Sequence, residues 1–243
     1  MSAVLEVIWH DVECGGYAED LSLWHDLAGR SVGPVLDVGA GTGRVALDLA
    51  RAGHDVTALD RELELLEALS ARARAAGLSV TTAAGDAHGF ALGRRFALIV
   101  VPMQTVQLLG GAAGRAAFLR RALAHLEPRG LLAVAIADPL DSFDAEFDGL
   151  PRPDEAERGG TRYVSQALAV ADEGEQAAIH RVRQIVRADG TVEEADNVIR
   201  LDRVEPEQLE EEAATAGLRV EAPRLIPSTD EYIGSTVVVV SAP

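Results

Sequence analysis

Lysine is absent from the 243 residues, so all 22 basic side chains are arginines. Without an ε-ammonium there is no Walker-type phosphate loop, no Schiff-base lysine and no kinase-type lysine. Cysteine is nearly absent. Cys14 alone permits neither an internal disulfide nor a thiolate metal cluster, which fits a reducing compartment. Positive charge is scarce against 39 acidic residues, and the net charge of −17 argues against nucleic acid or an anionic membrane surface as partner. Long apolar runs are missing too. Leu131–Ala137 and Val237–Val240 fall far short of the roughly 20 residues that span a bilayer. The N-terminus shows no basic region leading into an apolar core. The expectation is a soluble, cytoplasmic protein.

What is present is a rhythm. From residue 33 to about 137, short apolar runs alternate with helical periods. The runs are 35–38, 55–59, 78–83, 96–101 and 131–137. A helix is expected over 44–52, and a second starts near Glu62, with Leu63, Leu66 and Leu69 on one face. A third carries Leu119, Leu123 and Leu126 and stops before Pro128. Near-continuous apolar strands between amphipathic helices imply a parallel sheet covered on both faces, a doubly wound α/β domain.

After Asp138 the pattern changes. Residues 141–160 are rich in Asp, Glu, Gly and Pro and read as a mobile connection. Three β-like stretches follow near 162–170, 177–187 and 191–201, and Asp189-Gly190 resembles a two-residue hairpin. The expectation is a small antiparallel β insertion over 141–201, acting as a lid. The α/β rhythm resumes over 202–243 with a helix from Pro206 to near Gly217, then strands 218–226 and 234–240. Residues 1–30 are expected to form an N-terminal cap.

The chemistry concentrates in Val35–Arg44. Glycines at 39, 41 and 43 let a ligand lie against the backbone, and the next helix aims its free amides and positive dipole end at the loop. A dinucleotide fingerprint needs its third glycine at position 44, which is Arg. Asp60, ending the next strand, can accept both ribose hydroxyls of a nucleoside cofactor. Gly85-Asp86-Ala87 follows the third strand.

The run Asp-x-Gly-x-Gly-x-Gly, with Asp60, Gly85-Asp86-Ala87 and Leu126-Glu127-Pro128-Arg129-Gly130, resembles the class I S-adenosylmethionine-dependent methyltransferases over about residues 33–137 and 205–241. The resemblance implies a Rossmann-like, mostly parallel seven-stranded sheet and S-adenosylmethionine as cofactor. It implies that Asp37, Gly39, Ala40, Gly41 and Gly43 cradle the methionyl end, and that Asp60 takes the ribose. Asp86 and Ala87 would meet adenine, with Arg61 flanking the base and Met103 beside the sulfonium. Gln104 and Tyr17 are the candidate catalytic contacts.

The bland readings stand beside these. Asp37, Asp60 and Asp86 are also turn and helix-cap residues, and the helix holding Tyr17 is also a plain packing helix. Arg44 reads either as a methionyl carboxylate contact or as an exposed helix-start arginine. His10, His25, His88, His125 and His180 are possible bases at neutral pH, with His125 expected on the surface. No two histidines have a metal spacing, so no metal is expected. Phe143 and Phe147 read as core or as substrate cover.

The expected function is methyl transfer to a small-molecule acceptor, with a homodimer through the inserted strands. Two alternatives remain: an S-adenosylmethionine binder without transfer, as a regulatory protein or cofactor-assisted cyclase, and a nicotinamide-dependent oxidoreductase.

Overall fold

A computed structural model of the chain describes residues 3–143 and 150–243. Its main sheet is built from β1 (Val35–Val38), β2 (Val56–Asp60), β3 (Val80–Ala84), β4 (Phe96–Val101) and β5 (Leu126–Ile136). After an insertion, β10 (Arg219–Val220), β11 (Arg224–Ile226) and β12 (Ser235–Ser241) complete it. The order is β10-β12-β5-β4-β1-β2-β3, with β11 also on β12. All pairs are parallel except those of β12.

β1 and β4 are buried at every position, and the pleat sorts their side chains between two cores. Ile99 and Val101 face one core with Phe118, Leu119 and Leu209. Leu98 and Val100 face the other with Trp24, Leu49, Leu66 and Leu69. Helices α5 (Gly111–His125) and α6 (Pro206–Thr215) cover the first face. The second is covered by α2 (Leu21–Arg30), α3 (Arg44–Arg51) and α4 (Leu63–Ala75). β1 pairs β2 on one side and β4 on the other, so the crevice of an open α/β sheet opens at the carboxyl end of β1.

The seven sheet positions match the expectation, with one amendment. Strand 218–226 is two short pieces, β10 and β11, laid end to end along β12. Pro223, which has no N–H to give a ladder, sits in the break. Two helix readings also change. Leu126 opens β5 rather than closing α5, because its neighbour Phe96 draws it into the sheet. The buried face of α4 is Leu65, Leu66, Leu69 and Ala73, leaving Leu63 exposed.

The insertion is a separate four-stranded antiparallel sheet of β6 (Asp154–Arg158), β7 (Thr161–Asp172), β8 (Gln176–Val186) and β9 (Val192–Asp202). β6 lies inside the stretch read as a mobile connection. Its Asp-Glu-Ala-Glu-Arg sequence has no apolar alternation to betray it, and cross-strand pairing with β7 holds it. The β8–β9 turn uses three residues, not two. Arg187 N–H closes on Thr191 O at 2.9 Å, and Gly190 takes φ 86°. α1 (Ala3–Cys14) packs Ile8, Trp9 and Val12 against Ala156, Tyr163 and Ile185 of this sheet. Phe143 ends a short 3-10 turn that begins at Pro139, and Phe147 lies outside the described residues.

Candidate cofactor and acceptor site

The loop after β1 is tied down by its neighbours. Gly39 and Ala40 donate to Leu59 O at 2.9 and 3.1 Å, and Gly41 N–H donates to Asp60 Oδ2 at 2.8 Å. Asp60 Oδ1 accepts from Glu62 N–H at 2.9 Å. This carboxylate therefore shapes the loop as well as facing the cavity. Gly39 and Gly41 have φ of 72° and 54°. A Cβ on Gly39 would stand 2.5 Å from Thr105 Cγ2, and one on Gly41 would collide with His10 Nε2. Both positions require glycine for conformation and for space.

Above the loop lies a cavity of about 390 Å³, within the roughly 300–1,000 Å³ of small-molecule sites. Its floor includes Asp37, Gly39, Ala40, Asp60, Arg61, Asp86, Ala87, Met103 and Gln104. These are nine of the twelve residues expected from sequence. Gly41, Gly43 and Tyr17 are not in the lining. Gly41 and Gly43 shape the loop from behind, while Tyr17 packs edge-on against Tyr232 at 5.0 Å. Met103 is held at φ 55°, an uncommon conformation for a side-chain-bearing residue, at the exit of β4.

Asp37 is 1% exposed and neither carboxylate oxygen has a hydrogen-bond partner. Burial pushes its pKa up to about 7, against the pull of the Arg44 charge and of the nearby Ala46 backbone amide, which does not close a hydrogen bond. A buried carboxylate without donors, facing a cavity, fits an ammonium group such as the methionyl amine. Asp86 is more committed than expected. Its Oδ1 accepts from His88 N–H at 2.7 Å and also meets His88 Nδ1. Those bonds hold its pKa below the usual range, with the backbone donor first.

Arg44 lines the cavity at the start of α3, so the reading as an exposed helix-start arginine does not hold. Its side chain is only partly exposed, and Nη1 and Nη2 grip Asp20 at 2.5 and 2.7 Å while Nη1 also donates to Tyr17 O at 3.0 Å. His125, expected on the surface, is 7% exposed. Its Nδ1 bonds Arg121 O at 2.8 Å, and its Nε2 accepts from Leu92 N–H at 3.1 Å.

The other wall of the cavity comes from α1 and the second sheet: His10, Glu13 and Cys14, then Ile179 and Arg181 of β8, and Ile199 and Leu201 of β9. Glu13 is clamped by Arg183 through two bonds of 2.7 Å and by Ser165 at 2.8 Å. Burial pushes the Cys14 thiol up to about 11, so it stays protonated. Sequence reasoning left Glu13, Arg181 and the three aliphatic residues unassigned. Alternation shows that 179, 181 and 183 share a face, but not which face of an inserted sheet meets the site. Among the described residues no His, Cys, Asp and Glu cluster could hold a metal. No helix among them is long and apolar enough to cross a membrane.

Residues 35–130 match a methyltransferase domain family. The chain is 40% identical over 115 residues to a protein-L-isoaspartate O-methyltransferase of Methylorubrum extorquens, spanning 46% of each protein. It is 29% identical over 187 residues to the dTDP-3-amino-3,6-dideoxy-alpha-D-glucopyranose N,N-dimethyltransferase of Streptomyces fradiae, covering 77% of this chain and 70% of that one. The fold matches that of an amino pentose methyltransferase of Micromonospora echinaspora, solved with S-adenosylmethionine bound. The TM-score is 0.75 at 22% identity, over 99% of this chain and 97% of the other. The glycine loop, the two carboxylates at the ends of β1 and β2, and these likenesses agree: residues 35–130 match a methyltransferase domain, and the chain as a whole has the fold of S-adenosylmethionine-dependent methyltransferases.

Proposed function

We propose that the chain methylates an amino nitrogen on a small, sugar-like acceptor, with S-adenosylmethionine as donor. The observation that carries the donor side is Asp37, a buried carboxylate with both oxygens free at the cavity floor. In this reading it holds the methionyl ammonium. Asp60 takes the ribose hydroxyls through the valences that Gly41 and Glu62 leave free. Asp86 and Ala87 flank adenine, Arg61 lies along its face, and Met103 and Gln104 border the methyl group.

The acceptor side rests on the wall opposite. Ile179, Ile199 and Leu201 make it apolar enough to exclude water, and the inserted sheet acts as a lid. The sulfonium is already a strong electrophile, so orientation and desolvation supply most of the rate. The amine commitment is supported by two relatives whose names specify amino sugars. The test is mass spectrometry of products from a panel of amino sugars, sugar alcohols and isoaspartyl peptides, beside calorimetry with S-adenosylhomocysteine, NAD and NADP. Methylated amines and binding of the adenosyl ligand are expected. Methyl esters on the peptides instead, or tight binding of a dinucleotide alone, would refute the reading.

A further inference from the structure

We infer that His10 Nε2 is the proton acceptor for the acceptor amine, in a tautomer fixed by Thr42 and Asp11. This rests on the amine reading above. The Thr42 hydroxyl has one proton, and it goes to Asp11 Oδ1 at 2.8 Å. Its oxygen is then only an acceptor for His10 Nδ1, 3.3 Å away. Asp11 is held as a carboxylate by Arg72, at 2.8 and 2.5 Å, and by Arg158. The hydroxyl proton therefore has a permanent destination. The neutral ring must carry its own proton on Nδ1, which leaves the Nε2 lone pair free.

That nitrogen lies over Gly41, in the space a side chain there would fill. His10 lines the cavity, and among the described residues Nε2 has no hydrogen-bond partner. The other cavity histidine is spent, since His88 bonds Asp86 through Nδ1 and Leu109 O through Nε2. His25 pairs with Asp48, and His125 uses both nitrogens. Neither of these lines the cavity, nor do His54 and His180.

Burial holds His10 below its ordinary pKa and outweighs Asp11, Glu13 and Asp60, whose charges raise it; Arg72 lowers it further. A neutral imidazole therefore faces the cavity at neutral pH. In the step, an N–H bond of the protonated amine breaks and an Nε2–H bond forms. The freed nitrogen lone pair then bonds the methyl carbon, the carbon–sulfur bond breaks with its electrons left on sulfur, and the imidazolium proton leaves to solvent.

Imidazole ¹⁵N spectra of the protein at pH 7 read the tautomer without any turnover. Single-turnover transfer to an amino sugar, followed against pH for the wild type, His10→Asn and Thr42→Val, reads the base. A neutral ring protonated on Nδ1 is expected. His10→Asn should lose about 100-fold at pH 7, inside the roughly 10²–10⁴-fold range of general base catalysis. The loss should shrink about tenfold per pH unit as the amine deprotonates itself, with S-adenosylhomocysteine affinity unchanged. Thr42→Val should release the tautomer and slow transfer less.

A ring protonated on Nε2, or charged at pH 7, overturns the inference whatever the activity. So does a His10→Asn rate profile parallel to the wild type, or a loss of S-adenosylhomocysteine affinity as large as the loss of rate. A wild type that methylates no amine overturns the amine reading, and this inference with it.

Discussion

At the scale of single residues, the site is governed by carboxylates in unequal surroundings. Burial of Asp37 outweighs the Arg44 charge and the Ala46 backbone amide, and its pKa of about 7 follows from that. Between about pH 4 and 7 the folded chain keeps a proton there that the unfolded chain has lost. Its contribution to stability is thus full below the unfolded pKa of 3.8 and is lost as pH rises to about 7. In the proposed reading cofactor binding has the opposite sense, because an ammonium needs the ionised form. Calorimetry with S-adenosylhomocysteine should show affinity falling about tenfold per pH unit below 7 and level just above it. Asp37→Asn should bind more weakly with a flat profile. An unchanged slope in that variant would mean that another group titrates.

Gly41 makes a second test at this scale. Alanine there must adopt a positive φ and displace the His10 ring. Both S-adenosylhomocysteine binding and transfer should fall at least tenfold in Gly41→Ala. These residues are legible in the sequence because their geometry is local, within one strand end, one loop and one helix start. Glu13 and Arg181 are not legible, because their place depends on how α1 and β8 meet across more than 160 residues of chain.

At the scale of elements, the parallel strands could be read because each is buried on both faces and is apolar throughout. β6 could not, since its ladder with β7 recruits a charged sequence. Nor could the packing of α2 on α3 be read from either helix. It depends on Asp20, which is fully buried just before α2, gripping Arg44 in the first turn of α3 through two bonds. Removing one partner strands the other charge in the interior, which costs about 3–5 kcal/mol. Asp20→Asn and Arg44→Met should each lower the thermal midpoint by several degrees. The double variant should cost less than the sum. Additive losses would show that the pair is not coupled.

At the scale of the whole molecule, the chain is a mostly parallel sheet with a second, antiparallel sheet laid across its ligand edge, and α1 packs against both parts. Trp9 packs edge-on against Tyr163 at 5.6 Å, and Arg183 lies 5.3 Å over its ring. Glu13 locks the same arginine and Ser165 through three short bonds. The parallel sheet has its own two cores and needs none of these contacts. The stability of the two parts should therefore be separable. Glu13→Ala leaves Arg183 without its carboxylate and should raise amide exchange in β7 and β8 while β1, β4 and β5 keep their protection. Acceptor KM should rise several-fold with S-adenosylhomocysteine affinity held, because only the acceptor wall is loosened. Uniform loss of protection across both sheets would instead make the molecule one cooperative unit, in which the acceptor wall cannot open without the cofactor floor.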